Sequence, residues 1–323
     1  MTSPSYRDVL TAAERLSGRV HRTPVLTSAL LDSASGASLF FKCEHLQKVG
    51  AFKARGAANA VFSLDESYIK QGFATHSSGN HGAALARAAA LRQVPAYIVV
   101  PSNAPQVKQD AIAAYGAEII LCEPTLAARE QTLAAVIERT GAVAVHPYDD
   151  PRVIAGQGTA TLELIEQVPG LDVIVVPVGG GGLLAGTCLV AEQVGISVIA
   201  AEPVGADDAH RSFTAGQRIT QHTPDTICDG LQTTLGAQNF DIIRPRLEQV
   251  MVLEDSVTAH AMALIWTRMK QVVEPSAAIV LAAVLTNPVR FAGRKVGLVL
   301  TGGNVDLERL PFGRDHERNS PSR

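Results

Sequence analysis

Several protein classes are excluded by what this chain lacks. It has only four cysteines in 323 residues, Cys43, Cys122, Cys188 and Cys228, and no CxxC pair. That spacing supports neither a disulfide framework nor a zinc module, and it suits separate core thiols in a reducing compartment. Charge of one sign is missing too. Lys and Arg total 28 against 31 Asp and Glu, for a net charge of −3. No basic field therefore points to nucleic acid or an anionic membrane. Long apolar runs are absent: Val173–Val178 and Val296–Leu300 are too short to cross a bilayer. Residues Met1–Arg15 hold no apolar core of a secretory signal, so a cytoplasmic location is the expectation. There is no Walker A loop, no HExxH and no GxSxG elbow.

What remains is 46% hydrophobic and 18% charged, enough for one large or two modest domains with a substantial core. Strand-like and helix-like segments alternate almost throughout, which predicts an α/β fold of βαβ units with mostly parallel sheets. Four strand–helix units between Gly72 and His146 would form one lobe, and the remainder a second, discontinuous one. A helix is expected at 157–167 after a loop at 151–156. The polar stretch Arg314–Arg323 reads as a disordered tail.

Chemistry gathers at four places. The stretch Phe40–Ala57 reads as a strand, a turn at Gly50 and a helix start, with Lys53 just inside the helix. Apolar company and a helix N-terminus both disfavour the ammonium form, so Lys53 should be a nucleophilic amine. Gly179-Gly180-Gly181-Gly182 follows a buried strand and opens a helix at Leu183. Four glycines in succession carry a large entropic cost unless bare backbone is needed, as it is in a phosphate cradle. The loop Ser77-Ser78-Gly79-Asn80-His81-Gly82 can hold a carboxylate or simply cap the helix after it. Thr301-Gly302-Gly303-Asn304 ends the last strand and presents a hydroxyl where a ligand ring can sit. Glu202, Asp207 and Asp208 offer hard oxygen ligands for a divalent cation, or form a solvated loop. A lysine, a phosphate cradle, a carboxylate loop and a ring-facing hydroxyl share one explanation: pyridoxal 5'-phosphate with an amino-acid substrate beside it.

In this order and spacing the four motifs resemble those of fold-type II pyridoxal-phosphate enzymes, in the threonine/serine dehydratase and serine racemase branch. The resemblance spans roughly residues 5–310. It implies a tryptophan synthase β-like fold, with two open twisted sheet lobes and the site between them. The large domain would comprise 1–68 and 148–313, the small domain 69–147 and the tail 314–323. It also implies that Lys53 is the Schiff-base lysine and α-proton base, with Phe52 packed by the cofactor ring. Gly179, Gly180, Gly181, Gly182 and Leu183 match the phosphate loop, and Asn80 the residue that bonds the cofactor's phenolic oxygen. Thr301 falls at the pyridine nitrogen. Ser77, Ser78 and His81 match the substrate-carboxylate loop, and Ser78 falls where racemases carry their second-face acid/base. Glu202, the Ala206 carbonyl and Asp208 match a site for Mg²⁺, Ca²⁺ or Mn²⁺.

The activity so implied is β-elimination from a hydroxy amino acid such as L-threonine or L-serine, giving a 2-oxo acid and ammonia, in a homodimer. Alternatives are a 3-hydroxyaspartate ammonia-lyase, the dehydratase of hydroxyectoine breakdown, or a serine racemase. Arg129 matches a racemase arginine able to approach a second carboxylate. Tyr148 replaces the racemase Asn, which argues against efficient racemisation, and Thr233 and Thr234 are candidates for the opposite wall of the pocket. No regulatory amino-acid-binding domain is expected after the Thr301 motif.

Overall fold

The run Val173-Ile174-Val175-Val176 has no polar member and thus no wet face, so a strand formed from it must be covered on both sides. In the computed structural model, which describes residues 3–77 and 79–312, it lies at the centre of the larger of two sheets. The ten strands are β1 Val25–Leu26, β2 Ser38–Lys42, β3 Phe73–His76, β4 Ala96–Pro101, β5 Glu118–Cys122, β6 Val143–Ala144, β7 Val173–Pro177, β8 Ser197–Pro203, β9 Gln249–Leu253 and β10 Lys295–Val299. The six-stranded sheet runs β1-β2-β10-β7-β8-β9, and the four-stranded sheet β5-β4-β3-β6. Every pairing is parallel except β1 with β2. The α/β architecture with two mostly parallel lobes is as expected. The tail and Ser78 lie outside the described residues.

Three helices stack close together behind the catalytic-looking lysine. Helix Lys53–Phe62 crosses helix Pro151–Gln167, which in turn crosses helix Gly182–Val194. Glycines set these distances. A Cβ on Gly156 would lie 2.7 Å from the Gly56 Cα, and one on Gly186 would lie 2.6 Å from the Gly158 nitrogen. This corrects the expected loop at 151–156. Pro151 sits in the first helical turn, where it needs no N–H partner, and Asp150 caps the helix by accepting from the Arg152 N–H at 2.8 Å. Gly156 is thus a packing residue inside one long helix.

A charged network is buried where these elements meet. Arg55 is fully buried; its Nε and Nη2 reach Glu44 at 2.7 and 2.8 Å, and its Nη1 reaches Glu163 at 2.7 Å. Lys42 joins through Glu163 at 2.6 Å, Gln167 at 2.8 Å and the Thr23 carbonyl at 2.8 Å. Burial alone would push the Glu44 carboxyl up, but Arg55, Lys42 and Thr23 together outweigh it and hold Glu44 below the usual range. The network ties β2 and the segment after it to the helix carrying Lys53 and to helix Pro151–Gln167.

Removing one partner from such a network strands a charge without water. Arg55→Ala should cost about 3–5 kcal/mol of stability. Arg22→Ala, which breaks a half-exposed pair with Glu166, should cost at most about 1 kcal/mol. Thermal melts of the two variants check this, and equal melting temperatures would contradict it.

Candidate active site

The C-terminal ends of β3 and β10, the start of helix Lys53–Phe62 and the turn after β7 converge between the two sheets. Such strand ends are the usual place for a ligand in open α/β folds. Lys53 is the first residue of its helix. Its segment is pinned to the end of β10: Ala51 bridges Gly302, and the Phe52 N–H donates to the Thr301 carbonyl at 2.9 Å. Gly50 turns the chain with φ +68°, and a Cβ there would lie 2.6 Å from the Asn304 Oδ1. Only glycine satisfies both demands. Phe52 packs on the core cluster that contains Leu183.

The Lys53 Nζ donates to the Pro147 carbonyl at 2.8 Å. Burial pulls its pKa down to about 8, against the opposing charge of Glu274. At neutral pH roughly a tenth of such an amine is unprotonated, far more than for a solvated lysine. The residue after Pro147 completes the wall. A Cβ on Gly180 would lie 2.2 Å from the Tyr148 ring, and one on Gly182 would lie 2.8 Å from the Tyr148 carbonyl. Gly181 has φ +89° at the N-cap of helix Gly182–Val194. The glycine run is therefore pressed flat on one side by Tyr148. The first amides of a helix lack intrahelical partners, so this terminus suits an anion. The orphan amides and the depressed lysine fit the phosphate and aldehyde ends of pyridoxal phosphate.

Asn80 opens helix Asn80–Leu91, and its Nδ2 lies 3.1 and 3.2 Å from the two Glu274 oxygens. Its Oδ1 accepts from the Asn304 Nδ2 at 2.8 Å. Glu274 is buried, and burial with Asp229 nearby raises its carboxyl to about 8. Sequence reasoning missed Glu274. The signal was an acid stranded in the apolar run Val272-Val273-Glu274, just before a helix-starting proline.

His81 is buried with both ring nitrogens unpartnered among the described residues, and burial followed by Lys53 keeps it neutral, well below the usual range. Ser77 follows β3, and its Oγ accepts from the Gly79 N–H at 3.4 Å. Arg129, on helix Leu126–Thr140, is half-buried and makes no ion pair among the described residues. Its buried Nε has no partner, and its charge lowers the pKa of His76, after burial. His76 meets the His146 ring edge-on at 6.1 Å, and His146 meets Tyr148 at 4.5 Å. Arg129 thus lies near the His76 end of the row of rings that ends over the glycine run. Thr233 and Thr234 place their hydroxyls against the Tyr148 phenol, whose pKa burial raises to about 12.

The expected cation ligands lie behind this wall. Glu202 accepts from the Ala209 and His210 N–H groups at 2.9 and 2.8 Å, and burial raises it to about 8. Ala206 is buried at the end of the turn Val204–Ala206. Asp208 accepts from the Leu235 N–H at 2.8 Å, while its Oδ1 is buried without a partner, 3.6 Å from the His222 Nδ1. Among the described residues no three His, Cys, Asp or Glu side chains gather as a metal cluster.

The family model for pyridoxal-phosphate dependent enzymes matches residues 16–302. The chain belongs to that family. It is 49% identical over 314 residues to a beta-hydroxyaspartate dehydratase of Paracoccus denitrificans (strain Pd 1222), covering 97% of this chain and 100% of the relative. The structure of serine racemase from Dictyostelium discoideum superposes with a TM-score of 0.90 at 48% identity, covering 95% of this chain and 100% of that one. The structure of a T.th. threonine deaminase gives a TM-score of 0.90 at 42% identity, covering 94% of this chain and 99% of that one.

The Lys53 environment makes a direct prediction. In cofactor-free protein, acylation of Lys53 followed by mass spectrometry should titrate with a midpoint near 8. A midpoint above about 10, where solvated lysines titrate, would contradict the burial argument.

Proposed function

We propose that this protein is a pyridoxal-phosphate-dependent ammonia-lyase whose substrate is 3-hydroxyaspartate, converted to a 2-oxo dicarboxylate and ammonia. The observation that carries the choice of substrate is Arg129. A buried guanidinium nitrogen with no partner among the described residues is costly unless a ligand supplies one, and a second carboxylate is the matching acceptor. The dehydratase relative named for beta-hydroxyaspartate supports the same reading. L-Threonine and L-serine carry the hydroxyl but give Arg129 nothing to bind.

When bound, the cofactor withdraws electrons from the substrate's α-carbon and so acidifies its α-proton. The chain's own residues do the rest. Lys53 would anchor the cofactor, and its free amine is placed to take the α-proton, a task suited to a pKa near 8. The amides of Gly179–Leu183 would receive the phosphate, the neutral hydroxyl of Thr301 would face the ring nitrogen, and Asn80 would face the phenolic oxygen. Ser77 and Ser78 with neutral His81 receive the α-carboxylate, while Arg129 holds the distal one. The β-hydroxyl then leaves with that proton as water, and uptake of water by the released enamine gives the 2-oxo dicarboxylate and ammonia. Tyr148, filling the space over Gly180, favours elimination over racemisation. D-serine formation from L-serine, without 2-oxo-acid release, would reverse that preference and revive a Ser78-dependent racemase.

The Asp208 Oδ1 is an orphaned buried oxygen that suits a divalent cation such as Mg²⁺, with Glu202 and the Ala206 carbonyl as companions. Such an ion would brace the Leu235 segment against the phosphate loop.

A 2-oxo-acid release screen over 3-hydroxyaspartate, L-serine and L-threonine tests the assignment. Arg129→Met should lower kcat/KM for 3-hydroxyaspartate about 10- to 100-fold, since a charge-assisted contact is worth about 1.5–3 kcal/mol. Its effect on serine should stay within about threefold; equal losses on both substrates would refute the dicarboxylate assignment. Lys53→Ala should abolish turnover and the visible absorption of the cofactor. Millimolar Mg²⁺ should raise the melting temperature of the wild type but not of Asp208→Ala, a difference that thermal melts read directly.

A further inference from the structure

The side-chain amide of Asn80 lies in a chain whose two ends fix its direction. At one end the Asn304 Nδ2 donates to the Val49 carbonyl at 2.8 Å, and a backbone carbonyl only accepts. That contact identifies the Asn304 nitrogen, and the same nitrogen lies 2.8 Å from Asn80. The Asn80 atom facing it must therefore be oxygen. At the other end the Asn80 Nδ2 meets both Glu274 oxygens. Asn80 has two amide hydrogens, and Glu274 engages the one pointing at it. The second is left to face the cleft.

Glu274 has little freedom to do otherwise. It is 4% exposed, and its own N–H donates to the Gly302 carbonyl at 3.0 Å. Gly302 has no side chain because a Cβ there would lie 2.5 Å from the carboxyl oxygen of Glu274. The glycine after Thr301 is thus the space into which the Glu274 carboxyl fits.

We propose that Glu274 and Asn304 clamp the Asn80 amide so that one N–H is held toward the phenolic oxygen of bound pyridoxal phosphate. This makes Glu274 a positioning residue for the cofactor. The inference rests on the reading of Asn80 as a cofactor contact. A flipped amide would turn its oxygen on the phenolic oxygen, replacing an attraction with a repulsion and disturbing both affinity and the visible spectrum.

The test reconstitutes cofactor-free protein with pyridoxal phosphate and follows the dissociation constant and the position of the visible band. Glu274→Gln keeps an acceptor toward Asn80 and should stay within about threefold of wild type, with an unchanged band. Glu274→Leu removes the acceptor and should weaken binding at least about tenfold and shift the band. Asn304→Ala, which releases the opposite end, should weaken binding in the same direction and serves where Glu274→Leu fails to fold. Glu274→Leu or folded Asn304→Ala indistinguishable from wild type would overturn the clamp. So would Glu274→Gln as impaired as Glu274→Leu, since charge and not orientation would then matter. If Asn80→Ala also binds the cofactor as wild type does, the contact between Asn80 and the cofactor is the reading that fails.

Discussion

The Arg55 guanidinium is the contact on which the rest depends. It is placed two residues after Lys53 and is fully enclosed between Glu44 and Glu163. An arginine cannot shed its proton to escape burial, so its surroundings must supply the full set of acceptors. Those acceptors come from the segment after β2, from helix Pro151–Gln167 and from the His21 carbonyl, 3.2 Å away. The network therefore fixes the helix that begins at Lys53 in three directions at once. The amine's position relative to Pro147 and the glycine run follows from a charge cluster on the other side of the same helix.

The site is assembled from both sheets. Asn80 and Ser77 follow β3 of the smaller sheet, whereas Thr301 and the glycine run follow β10 and β7 of the larger. Pro147 and Tyr148 belong to the crossing segment after β6, and they touch Lys53 and Gly180 respectively. The helix at Lys108 adds a further tie, an ion pair with Asp229 beside the Glu274 region. Relative movement of the sheets would thus be felt at the amine, the glycine wall and the Ser/Asn loop together.

Much of this was readable in the sequence because it depends on local features. The glycine run, the lysine at a helix start and the Ser/Asn loop each combine residue type with a strand-to-helix junction. These produce the same local structure wherever they occur. The partners of Glu274, the Arg55 network and the histidine row were not readable in this way. Each joins residues far apart in the chain, and neither periodicity nor turn chemistry encodes such pairings. Helix Pro151–Gln167 shows a third case. A loop is the expectation at 151–156, yet the helix runs through it, and the close approach of Gly156 to Gly56 outweighs its poor helix propensity.

Tyr148 and Gly180 are separated by 32 positions but behave as one choice. With the ring seated on the bare backbone, neither residue can be exchanged alone without a gap or a collision. A methyl group added at Gly180 requires a smaller side chain in place of Tyr148, and a smaller side chain there leaves a void above the glycine run. Substitutions at Tyr148 therefore also alter the surface that the glycine run presents to the cleft. Engineering at this wall is accordingly a two-residue problem.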